Sequence, residues 1–247
     1  MPLLFIFDRF FLLSFCLFLV LLLSACSQER DIRSYYFPVR ELTTGQIYEY
    51  IPLAGPDSLP IYWYALGVDL DTTLILAITT YDPSFSPATL VKEKITNVGV
   101  ITDEVRLYTT DSSGISHEVQ ANILAGNAFP FFLTPEERPA YVYSIRYQSP
   151  NGAETIYTTT YNRQFSRDTT ITVLGKSQPA LVFNLSGETD INDPVNGSMT
   201  PQFAGYEIYA RGLGLVESYR DYDGFVFHQK LNRRLLMSEF TEMIKTQ

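Results

Sequence analysis

The sequence predicts an all-β fold: a single antiparallel sheet domain, curved into a half-barrel or closed as a barrel or sandwich, with a short C-terminal helix. Three observations carry that expectation. Short runs rich in β-branched and aromatic residues recur along the chain, separated by clusters of Gly, Pro, Asn, Asp and Ser. Within several runs apolar and polar side chains alternate with the period of a strand that buries one face. Aromatic residues make up 14% of the chain, with 17 Tyr and 17 Phe against one Trp. A tyrosine on a half-buried strand sets its ring toward the core and its hydroxyl at a wet edge.

Tyr35-Tyr36-Phe37-Pro38 opens the domain. From Gln46 to Pro52 alternation is strict, with Ile47, Glu49 and Ile51 on one face and Tyr48 and Tyr50 on the other. Residues 61–66 and 72–80 make the second and third strands, and 81–87, with two prolines, a loop. Residues 90–95 and 98–108 follow as strands. Asp111-Ser112-Ser113-Gly114 reads as a hairpin turn pairing 105–109 with 115–124. Residues 129–135 form an apolar loop entering Pro135-Glu136-Glu137-Arg138, a single helical turn. Residues 140–147 and 155–161 flank a second hairpin turn at Ser149-Pro150-Asn151-Gly152, and 169–174 and 180–185 surround Gly175. The Gly-, Asp- and Asn-rich stretch 186–201 reads as a long surface loop. Residues 203–209, 214–219 and 224–231 finish the sheet as a meander. Phe240, Met243 and Ile244 line one face of a helix over 238–245. No internal repeat is visible, which excludes a solenoid or propeller.

A net charge of −9 and a pI near 4.7 argue against a nucleic-acid partner and against a polybasic membrane patch. The two cysteines are Cys16 and Cys26. Both lie at the N-terminal end, so the domain has no disulfide and no cysteine metal site, and its stability rests on packing. No cofactor motif is present.

At the N-terminal end, Arg9 precedes an apolar run from Phe10 to Leu23, and a small-residue pair then leads to Cys26. This is the layout of a secretory signal peptide. Leu23-Ser24-Ala25-Cys26 resembles the lipobox of bacterial lipoproteins. The resemblance implies diacylglyceryl transfer to the Cys26 sulfur, cleavage before Cys26 and acylation of the new amino terminus. Residues 1–25 are then the signal peptide, 26–34 a lipidated tether and 35–247 the antiparallel domain, with the membrane as partner through the lipid. An uncut anchor is the rival reading, but a spanning helix wants about 20 apolar residues and this run is shorter. Ser27 resembles the permissive residue for outer-membrane sorting, and Glu29 with Asp31 loosely resembles a surface-export signal. The expected place is the cell envelope at the outer membrane, with the periplasmic and surface faces both open.

Two further pieces resemble a group of uncharacterised secreted bacterial β-rich proteins and lipoproteins. One is Phe37-Pro38-Val39 through Gly45 to Tyr48-Glu49-Tyr50, similar to that group's opening strand. The other is Ala210-Arg211-Gly212-Leu213-Gly214-Leu215-Val216, similar to its "G-x-G-L-V" closing turn. The resemblance implies a curved antiparallel sheet, comparable with the half-barrels of lipoprotein carriers, and brings no activity.

Catalytic and metal motifs fail on inspection. Gly212-Leu213-Gly214 has Glu217 where a dinucleotide fingerprint needs its third glycine, and reads as a bulge in a strand. His117-Glu118 begins a zinc-protease motif that Ala121 breaks, and His228 is the other histidine. No G-x-S-x-G elbow exists. Glu188, Asp190, Asn192, Asp193 and Asn196 offer oxygen ligands to calcium, but Pro194 and Val195 break the known loop, so the expected metal content is none. Asp57-Ser58-Leu59, Asp71-Thr72-Thr73 and Asp168-Thr169-Thr170 resemble short O-glycosylation sequons.

The densest apolar clusters hold Tyr62, Trp63 and Tyr64, and Phe129, Phe131 and Phe132. They read as core, or as a surface for a ligand or partner. The expected function is non-enzymatic binding or assembly in the envelope, with an envelope protein, a glycan or a lipid as partner. The alternatives are a lipid or lipoprotein carrier with an apolar cavity, and a hydrolase working with carboxylates alone. Cys26→Ala should abolish all palmitate labelling, whereas the native chain should keep an amide-linked, base-resistant portion. Label surviving in the variant would rule out the lipobox assignment.

Overall fold

The structure, a computed structural model, describes residues 29–53, 59–110, 114–134, 139–149 and 154–246. The lipobox-like segment with Cys26, the turn residues 111–113 and 150–152, the sequon at 57–58 and the expected helical turn at 135–138 lie outside them. The strands are β1 (Arg30–Asp31), β2 (Gln46–Pro52), β3 (Ile61–Leu70), β4 (Thr73–Tyr81), β5 (Pro87–Ile95), β6 (Gly99–Thr110), β7 (Ser116–Gln120) and β8 (Asn122–Pro130). They continue with β9 (Phe132–Leu133), β10 (Ala140–Gln148), β11 (Ile156–Val173), β12 (Lys176–Asp193), β13 (Gly197–Met199), β14 (Gln202–Ala210), β15 (Gly214–Tyr222) and β16 (Phe225–Leu235). One helix, α1 (Met237–Lys245), ends the described chain.

Twelve strands close an antiparallel barrel in the order β2-β3-β4-β5-β6-β8-β10-β11-β12-β14-β15-β16, with β16 returning to β2. The β11–β12 pairing closes it on the other side. β7 and β13 are appended to β6 and β12, and β1 pairs with β9. The barrel choice among the predicted all-β forms follows from this closure, which leaves no free edge along the wall.

Alternation sorts the side chains. Tyr48 and Tyr50 point into the lumen and join the main core, while Ile47 and Glu49 face out. Outward positions of β5 and β6 carry cross-strand ion pairs, Lys92 to Glu104 and Lys94 to Asp103, both 2.6 Å. Inward positions that are mostly apolar, with ion pairs on these outward ones, are the reverse of the pattern of a membrane-spanning barrel. Among the described residues no helix is long and apolar enough to cross a membrane. Helix α1 lies against the outer wall. Its Glu239 carboxylate accepts the Leu236 backbone N–H at 2.6 Å, and the fully buried Phe240 packs on Tyr62, Tyr81 and Phe85. Met243 packs there too, while Ile244 stays 42% exposed.

An eight-stranded barrel is just filled by its own side chains, and wider ones need other matter inside. Here the chain itself supplies it. After β1 it runs through two short 3₁₀ turns, Arg33–Tyr35 and Val39–Glu41, burying Ile32, Tyr35, Tyr36, Phe37, Val39 and Leu42 in the lumen. Tyr36 packs on Phe129 and Phe131, and Phe37 meets Tyr48 edge-on at 5.4 Å. Two glycines in the wall admit this plug. A Cβ at Gly67 would stand 2.0 Å from the Val39 carbonyl oxygen, and one at Gly214, where φ is +86°, would stand 2.7 Å from the Phe37 ring. Gly212 N–H donates to the Ser34 carbonyl at 2.8 Å, and the Arg211 guanidinium sits 5.0 Å over Tyr35. The opening and closing pieces that carry the family resemblance therefore meet inside one end of the barrel.

The structure corrects several boundaries. The ordered domain starts before Tyr35: Arg30 and Asp31 pair with Leu133 and Phe132, Arg30 grips Asp168 at 2.5 and 2.7 Å, and Ile32 is fully buried. Residues 129–135, expected as a loop, supply the end of β8 and all of β9. The stretch 186–201 is no loop either. Gly187, Thr189 and Ile191 continue β12 opposite Tyr161, Thr159 and Tyr157, and a tight turn leads to β13. Its polar residues project from a ladder that satisfies the backbone, so polarity there marks a solvated strand face. For the same reason residues 162–168 do not interrupt β11, which spans both predicted strands around them. Gly212 and Gly214 serve the β14–β15 turn, and the neighbouring bulge falls at Val216.

Phe37→Ala should cost about 3–5 kcal/mol by emptying the plug. Urea unfolding followed by tyrosine fluorescence would measure it, and a loss below about 1 kcal/mol would show that the wall stands without the plug.

Candidate functional site in the barrel lumen

The plug occupies one end of the lumen, and the other end stays open. Its mouth is a cavity of about 810 Å³ walled by Leu59, Ile61, Trp63, Leu215, Tyr222, Phe225 and Phe227, with Ser218, Gln229, Glu207 and Arg220 among its polar lining. A second cavity of about 340 Å³ shares Trp63, Glu207, Leu215 and Arg220 and reaches inward to Tyr36, Glu93, Tyr161 and Arg163. The two adjoin along those shared residues, and the inner one is bounded by Tyr36 and Phe37 of the plug; together they are termed the passage. Strand register explains the lining, since Glu207 faces Ser218 across β14–β15, and Arg220 stands opposite Gly205 and Phe227.

The inner part is a buried polar cluster. Arg163 donates to Glu207 from Nε at 2.8 Å and from Nη2 at 2.7 Å, and it also donates to the Ala128 carbonyl. Tyr209 donates its hydroxyl to the same Glu207 oxygen at 2.9 Å, and Tyr36 donates to Glu93. Burial pushes the Glu207 carboxyl up, but Arg163 and Arg220 overrule it and hold it below the ordinary carboxylate range. Burial raises Glu93, and the Tyr36 hydrogen bond and the charge of Arg163 offset this only in part. Burial also lifts Tyr36 and Tyr209 well above the usual phenol value.

Of the six residues singled out from the sequence, Trp63 lines the passage. Tyr62 and Tyr64 alternate to the outer wall, where Tyr62 is covered by Phe240. Phe129 and Phe131 are buried against the plug, and Phe132 is half-buried in β9 with Arg33 over its ring at 5.5 Å. The six therefore form no common surface.

His117 lies on β7 and His228 on β16, with β5, β4, β3 and β2 between β6 and β16 around the wall. His228 Nε2 stands 3.0 Å from Glu217, on the outer face beside Tyr206. Among the described residues no three His, Cys, Asp or Glu groups gather as metal ligands. In the acidic stretch, Asp193 accepts the backbone N–H groups of Asn196 and Val195, which depress its carboxyl to about 2. Its oxygens serve the hairpin turn. Asp168 is held by Arg30 within β11.

Sequence reading missed Glu93, Arg163, Glu207 and Arg220. A usable signal was present for three of them, which share alternation parity with lumen aromatics, as in Tyr161-x-Arg163-x-Phe165, Glu207-x-Tyr209 and Arg220-x-Tyr222; Glu93 has only Val91 and Ile95 beside it.

Two solved structures resemble this architecture. A crystal structure of a "putative lipoprotein" from Parabacteroides distasonis ATCC 8503 aligns with a TM-score of 0.53 at 13% identity, over 84% of this chain and 100% of that one. The likeness is one of fold. A "putative exported protein with YmcC-like fold" from Bacteroides fragilis NCTC 9343 aligns at 11% identity and a TM-score of 0.48, over 81% and 98% of the two chains. No protein-family model and no curated protein matches the sequence.

The cluster makes stability pH-dependent in two directions. Glu207, depressed in the fold, contributes stability above its unfolded pKa that is lost as pH falls through the folded value. Glu93, raised in the fold, does the opposite, so stability falls as pH rises from the unfolded value through the folded one. Glu93→Gln should remove that upper decline and equal or exceed the native chain at pH 7 in thermal melts. Glu207→Gln strands a buried guanidinium and should cost about 3–5 kcal/mol. A Glu93→Gln protein that is clearly less stable at neutral pH would refute the sign.

Proposed function

We propose that this chain is a lipid-anchored protein of the cell envelope, held at the outer membrane through Cys26, that works by binding an apolar ligand in the open half of its barrel. The carrying observation is the passage of about 810 Å³ with Leu59, Ile61, Trp63, Leu215, Phe225 and Phe227 in its wall. Ligand sites are concave, mostly apolar and about 300–1,000 Å³, with few polar groups. At the mouth Leu59, Phe225 and Phe227 are 63%, 67% and 54% exposed, a cluster of large apolar groups that a folded chain does not need for packing. Among the partners the sequence left open, a lipid suits these aliphatic and aromatic walls better than a glycan. The "putative lipoprotein" description of the similar Parabacteroides distasonis structure is in keeping with the envelope location.

A second reading has a specific observation behind it. Glu93 is pushed up and Glu207 held down within one passage, a split that acid–base chemistry uses. Glu207 is nevertheless spent on Arg163 and Tyr209, which favours binding over hydrolysis.

Trp63 is the one tryptophan of the chain and lines the passage, so it reports occupancy. The full chain reconstituted in phosphatidylcholine vesicles should transfer Trp63 fluorescence to methyl parinarate, a neutral polyene ester. Phe227→Arg should weaken that binding about tenfold through the loss of roughly 1.4 kcal/mol of apolar contact. No transfer in the native chain, or turnover of ester and glycoside substrates abolished by Glu93→Gln, would overturn the binding reading.

A further inference from the structure

We infer that the ligand carries a single anionic head group, a carboxylate, which is received at Arg220 while its acyl chain lies along the apolar wall toward the mouth. The inference rests on the binding reading above and names the chemistry of what binds.

Arg220 lines both parts of the passage, at the point where apolar wall gives way to polar floor. Its guanidinium lies over Tyr161 at 5.6 Å and Phe203 at 5.5 Å, contacts that use the faces of the cation and leave its in-plane N–H groups unspent. A guanidinium has five donors. Nε is buried and donates no hydrogen bond among the described residues. The carboxylate it faces is Glu207, whose Oε1 stands 3.7 Å from Nη2, beyond a good hydrogen bond, while Oε2 accepts from Arg163 and Tyr209. With 35% of its side chain exposed, Arg220 is a positioned cation that makes no hydrogen bond among the described residues, its contact there being the long ion pair from Nη2 to Glu207 Oε1.

Charge balance points the same way. The floor holds two guanidinium groups, Arg163 and Arg220, against Glu207 and Glu93, and Glu93 is the carboxyl that its surroundings push toward the neutral form. A negative head group completes this set, whereas a cationic one would meet two arginines. The overall charge of −9 makes a positive position inside the lumen a local exception, and the walls around it restrict the approach to a narrow apolar body. A fan of sugar hydroxyls would find few partners beyond Ser218, Gln229 and Tyr222.

The test is a double comparison on the full chain in phosphatidylcholine vesicles, with parinaric acid and its methyl ester as probes and Trp63 as energy donor. The acid-to-ester ratio in the native chain, divided by that in Arg220→Gln, cancels membrane partitioning. Charge-assisted hydrogen bonds predict a quotient on the order of 10 to 100, with Arg220→Lys retaining part of it. A quotient near 1 while the ester still binds would overturn the carboxylate inference and leave the cavity reading standing. Absence of binding by either probe would remove both. Displacement of the acid by an acidic oligosaccharide, but not by a long-chain carboxylate, would replace the acyl ligand with a glycan. Thermal melts of Arg220→Gln and Arg220→Lys, expected to lie within a few degrees of the native chain, separate lost binding from lost folding.

Discussion

A closed wall of twelve strands encloses more space than its inward side chains can fill, and this constraint shapes everything else in the molecule. A void of that size forfeits dispersion contacts and hydrophobic burial together. The chain resolves it by folding Ile32–Leu42 into one half of the lumen and leaving the other half open. Plug and wall are matched in detail: the small residues Gly67 and Gly214 stand where Val39 and Phe37 press against the sheet. The cavity is thus the complement of the plug, and its floor includes the plug residues Tyr36 and Phe37 among residues of the wall.

The polar cluster at that floor contributes little net stability by the usual arithmetic. Desolvating Arg163 and Glu207 offsets most of their attraction, and an apolar replacement of both would be near neutral. Removing one alone is what costs. Such a cluster makes physical sense where it holds a charged side chain at a fixed place, and here Arg163 and Tyr209 take Glu207 Oε2 and leave Arg220 only a long ion pair to Oε1. Stacking on Tyr161 and Phe203 then fixes that remaining cation without neutralising it.

Much of the fold was legible because strand periodicity is local. The alternation from Ile47 to Ile51 named the right two faces, β6 pairs antiparallel with β7 on either side of the expected turn, and the helix lies within a residue of its expected start. What failed was the equation of polar with loop. Residues 162–168 and 186–193 are polar on strands whose outward face is exposed, so the ladder rather than a run of apolar side chains marks them as strand, and Arg163 within the first stretch is itself buried. The site was hidden for a related reason. Arg163 and Glu207 occupy core positions by parity, and only the closing of β11 against β12 and β14 brings them within hydrogen-bond reach. Tyr62-Trp63-Tyr64 shows the converse, since one aromatic cluster was split between lumen and outer wall by the pleat.

The segment that enters the lumen is continuous with the one leading back toward Cys26, and Arg30 is clasped to Asp168 just before it goes in. The plug abuts Gly214 at the start of β15, whereas the mouth surrounds Tyr222 and Phe225 at the far end of that strand. Under the proposed anchoring at Cys26, a tether joined to the chain ahead of Arg30 would aim the opening away from the bilayer. Traction on such a tether would load the Arg30–Asp168 pair first and, once that parted, the plug segment that follows it in the chain.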